Sequence, residues 1–262
     1  MGKGKVKLRY KLIIEYDGTN LVGWQSQPTG ASVQSLLQDA IYKFCGRRAE
    51  VVACGRTDAE VHALAMTAHV DIPPPPAAGS SPDTVMRAVN FHLGANAPVA
   101  ILSCEKVPDD FHARFSCKRR NYRYVIQNRR APAVLARGKV WWVPRSLDID
   151  AMRIASVKLI GNHDWTSFRA TECQAKSPIK TLDRVEVSAD DSFITIDFSA
   201  RSFLHNQVRN MVGTLVEIGL GKPYDIEKIF AAKSRTAAGP TAPASGLYFV
   251  SAEYRVPDTE RA

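Results

Sequence analysis

The sequence has no uninterrupted apolar run approaching the roughly 20 residues that a membrane-spanning helix needs. Its basic first residues run into charged, alternating sequence rather than into a signal-peptide core, which predicts a protein that is not exported. Cysteine is scarce: there are five, an odd number, with no CxxC pair. That usage favours reduced thiols in a cytoplasmic protein over a disulfide framework or a zinc finger.

Motifs for common cofactors are also missing. The chain has neither a Walker A sequence nor a GxGxxG sequence, so nothing in it indicates a bound nucleoside triphosphate or dinucleotide. With 262 residues, 45% of them hydrophobic, it is long and apolar enough to fold as one large domain or two ordinary ones.

Acidic residues are absent from residues 111–147, and this segment holds the whole positive excess of the chain. The full sequence has 35 Lys and Arg against 26 Asp and Glu, whereas the rest of the chain without this segment has 25 against 26. Aromatic residues, Tyr122 among them, are interleaved with the basic ones, a pattern typical of surfaces that bind phosphates and unstacked RNA bases. The ten basic residues are Arg114, Lys118, Arg119, Arg120, Arg123, Arg129, Arg130, Arg137, Lys139 and Arg145.

Hydrophobic periodicity predicts a mixture of strands and helices in both halves of the chain. This favours an α+β fold with two lobes, residues 1–107 and 108–262. Predicted strands cover 7–16, 50–53, 66–72, 122–127, 181–187, 193–198 and 247–254; predicted helices cover 33–44, 149–160 and 204–215, and another begins after Ser81.

Asp58 lies in a predicted loop, after Gly55, Arg56 and Thr57. An aspartate in such a loop most often caps a turn or helix. A carboxylate beside guanidinium groups also stays ionised and can attack carbon as a nucleophile. Cys54, Asp58 and His62 have i, i+4, i+8 spacing, but a continuous helix through Gly55 is doubtful and no fourth ligand is evident, so we expect no metal site and a structural, hydrogen-bonding His62.

Tyr122 and Arg209 each allow two interpretations. Tyr122 on an alternating strand is by default a core aromatic, yet its arginine neighbours favour a ring that stacks on an RNA base. Arg209, next to Val208 on an apolar helix, is either a solvated flank or an inward-pointing cation that needs an anionic partner such as Asp58.

Taken together, these residues and several shorter motifs resemble the TruA family of tRNA pseudouridine synthases over nearly the whole chain. The motifs, in order, are Tyr16-Asp17-Gly18, Gly23-Trp24-Gln25, Ser32-Val33-Gln34, residues 55–62, residues 111–115, Tyr122-Arg123-Tyr124, Ser167-Phe168-Arg169, residues 203–213 and Gly246-Leu247-Tyr248.

The resemblance implies the pseudouridine synthase fold, with two ferredoxin-like lobes joined through a central sheet. It implies that Asp58 is the catalytic nucleophile, that Tyr122 packs on the target uracil, that Arg209 pairs with the aspartate and that Arg56 holds the nucleotide out of its helix. It further implies a cytoplasmic homodimer that needs no cofactor and converts uridines at positions 38 to 40 of the tRNA anticodon arm to pseudouridine.

The chain departs from the family pattern at two positions. Glu60 stands where the family usually has glycine, and a glycine there supplies a left-handed backbone angle that glutamate disfavours. Gln207 stands where methionine is common. Two competing functions use the same residues: a tRNA-binding protein or folding chaperone without catalysis, and a metal-dependent nuclease that uses Asp58 and His62.

Overall fold

The computed structural model describes residues 7–73 and 81–255, and the chain divides into two compact units. Of the described residues, the first unit contains those up to Lys118 and those from Phe249 to Arg255, and the second contains Arg119–Tyr248. Each unit combines helices with a sheet, which confirms the predicted α+β class. None of the helices in the described ranges is long and apolar enough to cross a membrane.

The first unit has the β-α-β-β-α-β order of a ferredoxin-like fold. Its central strand pair is antiparallel, and one further antiparallel strand lies on each side, giving the sheet order β4-β1-β3-β2. The elements are β1 (Leu8–Tyr16), α1 (Val33–Cys45), β2 (Val51–Ala53), β3 (His62–Ile72), α2 (Pro82–Leu93) and β4 (Val99–Lys106).

The two helices of this unit begin where the sequence predicts. The Ser32 side chain accepts a hydrogen bond from the Ser35 N–H at the start of α1, and the Ser81 side chain accepts one from the Thr84 N–H at the start of α2. Gly46 follows α1 in a left-handed conformation, with φ of 67°, as is usual for a glycine that ends a helix.

The elements of the second unit follow the order β-β-α-β-β-β-α-α, and β10 is the next strand along the chain. In its sheet β9 lies between β5 and β8, all antiparallel, while β6 pairs with β5 in parallel, which makes the sheet mixed. The elements are β5 (Arg119–Asn128), β6 (Trp141–Val143), α3 (Ile149–Val157), β7 (Gly161–Asp164), β8 (Ile179–Asp190), β9 (Phe193–Ala200), α4 (Gln207–Gly219), α5 (Ile226–Ala232) and β10 (Leu247–Glu253).

The observed units differ from the predicted lobes, 1–107 and 108–262, at two places. Residues after Val107 still belong to the first unit, since the Val107 N–H donates to the Arg9 carbonyl and the Lys118 N–H donates to the Glu253 carbonyl. The C-terminal residues from Phe249 also return to the first unit. A change in composition along the chain cannot reveal such a return, because it depends on pairing between residues far apart in sequence.

Candidate active site

The loop that carries Asp58 connects β2 to β3. Asp58 is half-buried, and its carbonyl accepts the Val61 N–H at 3.3 Å, which closes a tight turn. Arg56, two residues earlier, is exposed. The loop thus presents a carboxylate and a guanidinium within three consecutive residues, as the sequence predicts.

Buried contacts fix this loop through Thr57, the residue before Asp58. The Tyr16 hydroxyl and the Thr57 hydroxyl lie 2.7 Å apart, and both side chains are buried. The Thr57 carbonyl accepts the Trp24 N–H at 3.1 Å. Gly23 has φ of +100°, and a Cβ on it would lie 2.7 Å from the Thr57 carbonyl oxygen. Only glycine therefore allows the chain to pass so close to the loop.

His62 and Gly18 hold the other end of the loop. The Gly18 N–H donates to Nδ1 of the buried His62 at 3.0 Å, which confirms the predicted structural role of this histidine. A Cβ on Gly18 would lie 2.2 Å from the Val61 carbonyl oxygen, so the two backbones are in direct contact. The sequence pattern did not identify Tyr16, Thr57 and Gly18 as supports of Asp58, although the Asp17-Gly18 turn was an available signal.

Glu60 has the backbone conformation that its departure from the family pattern suggested. Its φ is +65°, in the left-handed region, and its side chain is exposed. An L-residue in this region carries a cost of roughly 1–2 kcal/mol that glycine avoids. The Glu60 N–H donates to the Leu21 carbonyl at 3.3 Å, so the loop keeps its turn despite this cost.

Tyr122 lies on β5 and is buried, with 8% of its surface exposed. Its ring packs edge-to-face on Phe203, with centroids 5.1 Å apart and an interplanar angle of 84°. Tyr124 and Ile126 share its face and are buried too, which confirms the predicted alternation. The Tyr122 ring is therefore supported by another aromatic ring in the segment before α4.

The basic segment 111–147 is not a single solvated face. It divides between the two units at Lys118, and several of its arginines have structural partners. Arg120 is buried and donates to the Arg201 carbonyl. Arg123 forms a two-point ion pair with Asp197 on β9, at 2.8 and 3.0 Å. The Arg129 guanidinium donates to carbonyls of its own loop. Most of the ten basic side chains are nevertheless exposed, and among them only Arg120 is buried.

Arg209 lies in the first turn of α4 and is half-buried. Its Nε donates to the Ala242 carbonyl at 2.8 Å, and its Nη1 donates to the Asn206 side-chain oxygen at 3.1 Å. These bonds fix the guanidinium, so the side chain is not a mobile solvated flank. Asp58 and Arg56 belong to the first unit, and Tyr122 and Arg209 belong to the second.

Within the described ranges, no group of three or more His, Cys, Asp or Glu side chains is placed to hold a metal ion. Cys54, from the spacing considered above, is buried and its sulfur lies 3.5 Å from that of Met66. Its surroundings are those of a packed core thiol.

Comparison with known proteins supplies the class of the molecule. A family model described as tRNA pseudouridine synthase matches residues 12–116 and 155–255, which together make up most of the chain. The match includes the Asp58 loop and Arg209. Pseudouridine synthases are isomerases, and the class is therefore that of an RNA-modifying isomerase.

Curated relatives agree along nearly the full length. Proteins named tRNA pseudouridine synthase A are 52% identical in Parvibaculum lavamentivorans and 53% identical in Rhodospirillum centenum, over 248 residues that cover 94% of this chain and 99% of each relative. A protein of the same name from Rhodopseudomonas palustris is 53% identical over the same coverage. The chain belongs to the tRNA pseudouridine synthase family, which confirms the resemblance noted in the sequence.

Proposed function

We propose that the protein converts uridines at positions 38 to 40 of the tRNA anticodon arm to pseudouridine, with Asp58 as nucleophile and without a cofactor. The observation that carries the assignment to Asp58 is the loop itself. Buried contacts from Tyr16, Trp24 and Gly18 fix the backbone on both sides of a half-buried carboxylate. A nucleophile held in one position needs little reorganisation when substrate binds, and this lowers the barrier to attack.

The reaction is an isomerisation, and its atoms balance without a co-reactant. The bond from ribose C1′ to uracil N1 breaks, the uracil rotates, and a bond from C1′ to C5 forms. The C5 carbon loses its proton and N1 gains one. Asp58 acts at C1′, acts at C6 or assists through a glycal-type intermediate, and each of these routes requires an ionised carboxylate next to the flipped nucleotide.

Substrate binding is proposed for Tyr122, Arg56 and Arg209. We expect the Tyr122 ring, supported by Phe203, to stack on the target base, an interaction typically worth about 1–3 kcal/mol. The exposed Arg56 is suited to fill the space that a flipped nucleotide leaves, whose extrusion costs a few kcal/mol. For Arg209, the pairing with Asp58 that the family resemblance implies remains a prediction, which a double-mutant cycle on the two residues tests.

Two wider features are also part of the proposal. We expect a homodimer in which one tRNA contacts both subunits, and we expect the enzyme to work in the cytoplasm, where its substrate is. Light scattering on the purified protein, alone and with tRNA, tests the dimer. A monomer that remains fully active would contradict it.

The test of Asp58 separates chemistry from binding. Asp58→Asn should abolish pseudouridine formation while changing the Kd for tRNA by less than about threefold, since the amide keeps the size of the side chain but is not a nucleophile. Glu60→Gln is the matched control, because it removes a carboxylate two residues away and keeps the loop backbone. If binding and turnover fell together in Asp58→Asn, or if Glu60→Gln were equally inactive, the assignment would be wrong.

A tritium-release assay on tRNA labelled at uracil C5, in which loss of the C5 proton is counted, distinguishes the competing functions. A non-catalytic RNA chaperone would release no tritium from tRNA labelled at uracil C5. A metal-dependent nuclease would cleave the tRNA and would stop working in EDTA. We expect tritium release that EDTA does not affect, with intact tRNA recovered.

A further inference from the structure

The first unit contains a cavity of about 430 Å³ that the proposed reaction does not use. It is lined by residues from the start of β1, the segment between α1 and β2, the end of β3, and the loop after β4. Four cationic side chains, Lys7, Arg9, Arg47 and Arg48, contribute to its lining. Such a concentration of positive charge around a concave space favours an anionic ligand.

Arg9 and Asp71 neutralise each other within this cavity. Two guanidinium nitrogens of Arg9 lie 2.7 Å from the two Asp71 carboxylate oxygens, and its Nη1 donates to the Phe111 carbonyl at 2.9 Å. The Arg9 guanidinium holds the pKa of Asp71 below its usual range. This bidentate pair is a fixed part of the wall and does not repel an anion.

The other cations outnumber the remaining carboxylate. Arg47 and Arg48 follow directly after Gly46 and are exposed, as is Lys7. Arg48 lies 3.7 Å from Asp39, but both side chains are more than half exposed, so this pair contributes little and can open. Against these three cations stands Glu50, the other acidic residue of the lining.

Two histidine rings also line the cavity. His69 and His112 have ring centroids 4.7 Å apart, and Nδ1 of His69 accepts the Ala113 N–H at 3.2 Å. Burial, with smaller contributions from His112 and Arg9, lowers the pKa of His69 to about 4. Near neutral pH the His69 ring is therefore uncharged, and the lysine and arginines supply the fixed positive charge of the lining.

The cavity lies far from the carboxylate of Asp58. His62 begins β3 beside the Asp58 loop, whereas His69 lines the cavity seven residues further along the strand. At about 3.3 Å per residue, His62 and His69 are roughly 23 Å apart along the strand. A nucleotide bound at Asp58 cannot reach the cavity, but a larger RNA can.

From this we propose that the cavity binds a backbone phosphodiester of the tRNA substrate, outside the anticodon stem-loop. The inference rests on the proposed function in one respect, namely that tRNA is the ligand of the protein. Phosphate contacts of this kind position an RNA without reading its sequence. The site would thus add affinity and orientation for full-length tRNA and would leave the chemistry at Asp58 unchanged.

Binding measured with a catalytically inactive protein tests the proposal. On the Asp58→Asn background, Arg47→Gln combined with Arg48→Gln should raise the Kd for full-length tRNA at least about tenfold near 0.1 M salt and should reduce the salt slope by roughly 1–2. Glu50→Gln should act in the opposite direction and lower the Kd about twofold to fivefold, since it removes the remaining negative charge. A gain in affinity cannot arise from misfolding.

The matched control removes the same charge elsewhere. Lys43→Gln with Lys106→Gln changes two exposed cations of the first unit that do not line the cavity, and it should change the Kd less than about threefold. A minimal anticodon stem-loop should bind all these proteins equally. The proposal is overturned if the control loses as much affinity as the arginine variant, or if the stem-loop is weakened as much as the tRNA.

A second outcome would assign the site to a different phosphate. The arginine variant could bind tRNA as the wild-type protein does, while inorganic phosphate raises the Tm of the wild-type protein and not that of the variant. The ligand would then be a small phosphate compound, and the proposal would be wrong. Because these measurements need no turnover, they remain decisive even if the wild-type protein releases no tritium. In that case the proposed function would fail independently of the cavity.

Discussion

Replacing Glu60 with glycine should raise the free energy of unfolding. Glu60 has φ of +65° and an exposed side chain, so the substitution relieves backbone strain and loses no packing. The left-handed conformation costs an L-residue about 1–2 kcal/mol, which the substitution recovers. Glycine has greater conformational freedom in the unfolded chain, and this offsets about 0.5–1 kcal/mol of the gain. The expected net gain is about 0.5–1 kcal/mol.

Urea denaturation and thermal melting measure this gain. For a chain of this length, about 1 kcal/mol corresponds to a Tm shift of roughly 2–4 °C, so we expect an increase of about 1–4 °C. The midpoint of the urea transition should rise while its m value stays unchanged.

Two control variants separate the backbone from the charge. Ala59→Gly changes the neighbouring exposed residue, whose φ is not positive, and it should lower stability by about 0.5–1 kcal/mol. Glu60→Ala removes the charge but keeps the strain, so it should change stability little. The reasoning is refuted if Glu60→Gly destabilises as Ala59→Gly does, or if Glu60→Ala gains as much as Glu60→Gly.

Three further perturbations follow from contacts in the same unit. Tyr16→Phe removes the hydroxyl that lies 2.7 Å from the buried Thr57 hydroxyl, so urea denaturation should show a free energy of unfolding lower by about 1–3 kcal/mol. Because the change loosens the Asp58 loop, it should also lower kcat more than it raises KM, and an unchanged kcat would contradict the positioning role. Gly18→Ala would place a Cβ 2.2 Å from the Val61 carbonyl oxygen, so we expect a loss of stability above about 2 kcal/mol, whereas wild-type stability would show that the two backbones separate easily. The pKa of His69 is lowered to about 4, so the unfolded chain binds more protons than the folded one between that pH and about 6.5. The free energy of unfolding of the wild-type protein, measured by urea denaturation at several pH values, should therefore fall as the pH drops through this window. His69→Gln should flatten this dependence, and an unchanged slope in the variant would contradict the role of His69.

Local sequence signals predicted the elements whose residues also pack in their expected pattern. The helix after Ser32 and the alternating strand around Tyr122 have the predicted faces buried, because amphipathic spacing and end capping act within a few residues. β3 begins at His62 rather than at the predicted Met66, since its first residues are held by pairing with β1, including Ala63 opposite Tyr16. No alternation marks that part of the strand.

The sequence was sufficient to predict the chemical groups of the candidate site, but not the contacts that hold them in place. Asp58, with Arg56 two residues before it, could be identified as a carboxylate beside a guanidinium in a loop, and the family resemblance gave it a role. The hydroxyl pair that holds Thr57 joins residues 41 positions apart in sequence, which no local pattern reports. The ion pair between Arg123 and Asp197 likewise joins residues 74 positions apart, so the sequence could not show that this exposed arginine has a carboxylate partner on the neighbouring strand.

The most direct measurement is release of tritium from tRNA carrying tritiated uracil C5, with wild-type protein and Asp58→Ala compared side by side. The wild-type protein should release tritium in proportion to the pseudouridine formed, and the variant should release none above background while still binding the tRNA. Release by the variant at a wild-type rate would show that this carboxylate does not attack the nucleotide, and the proposed mechanism would have to be abandoned.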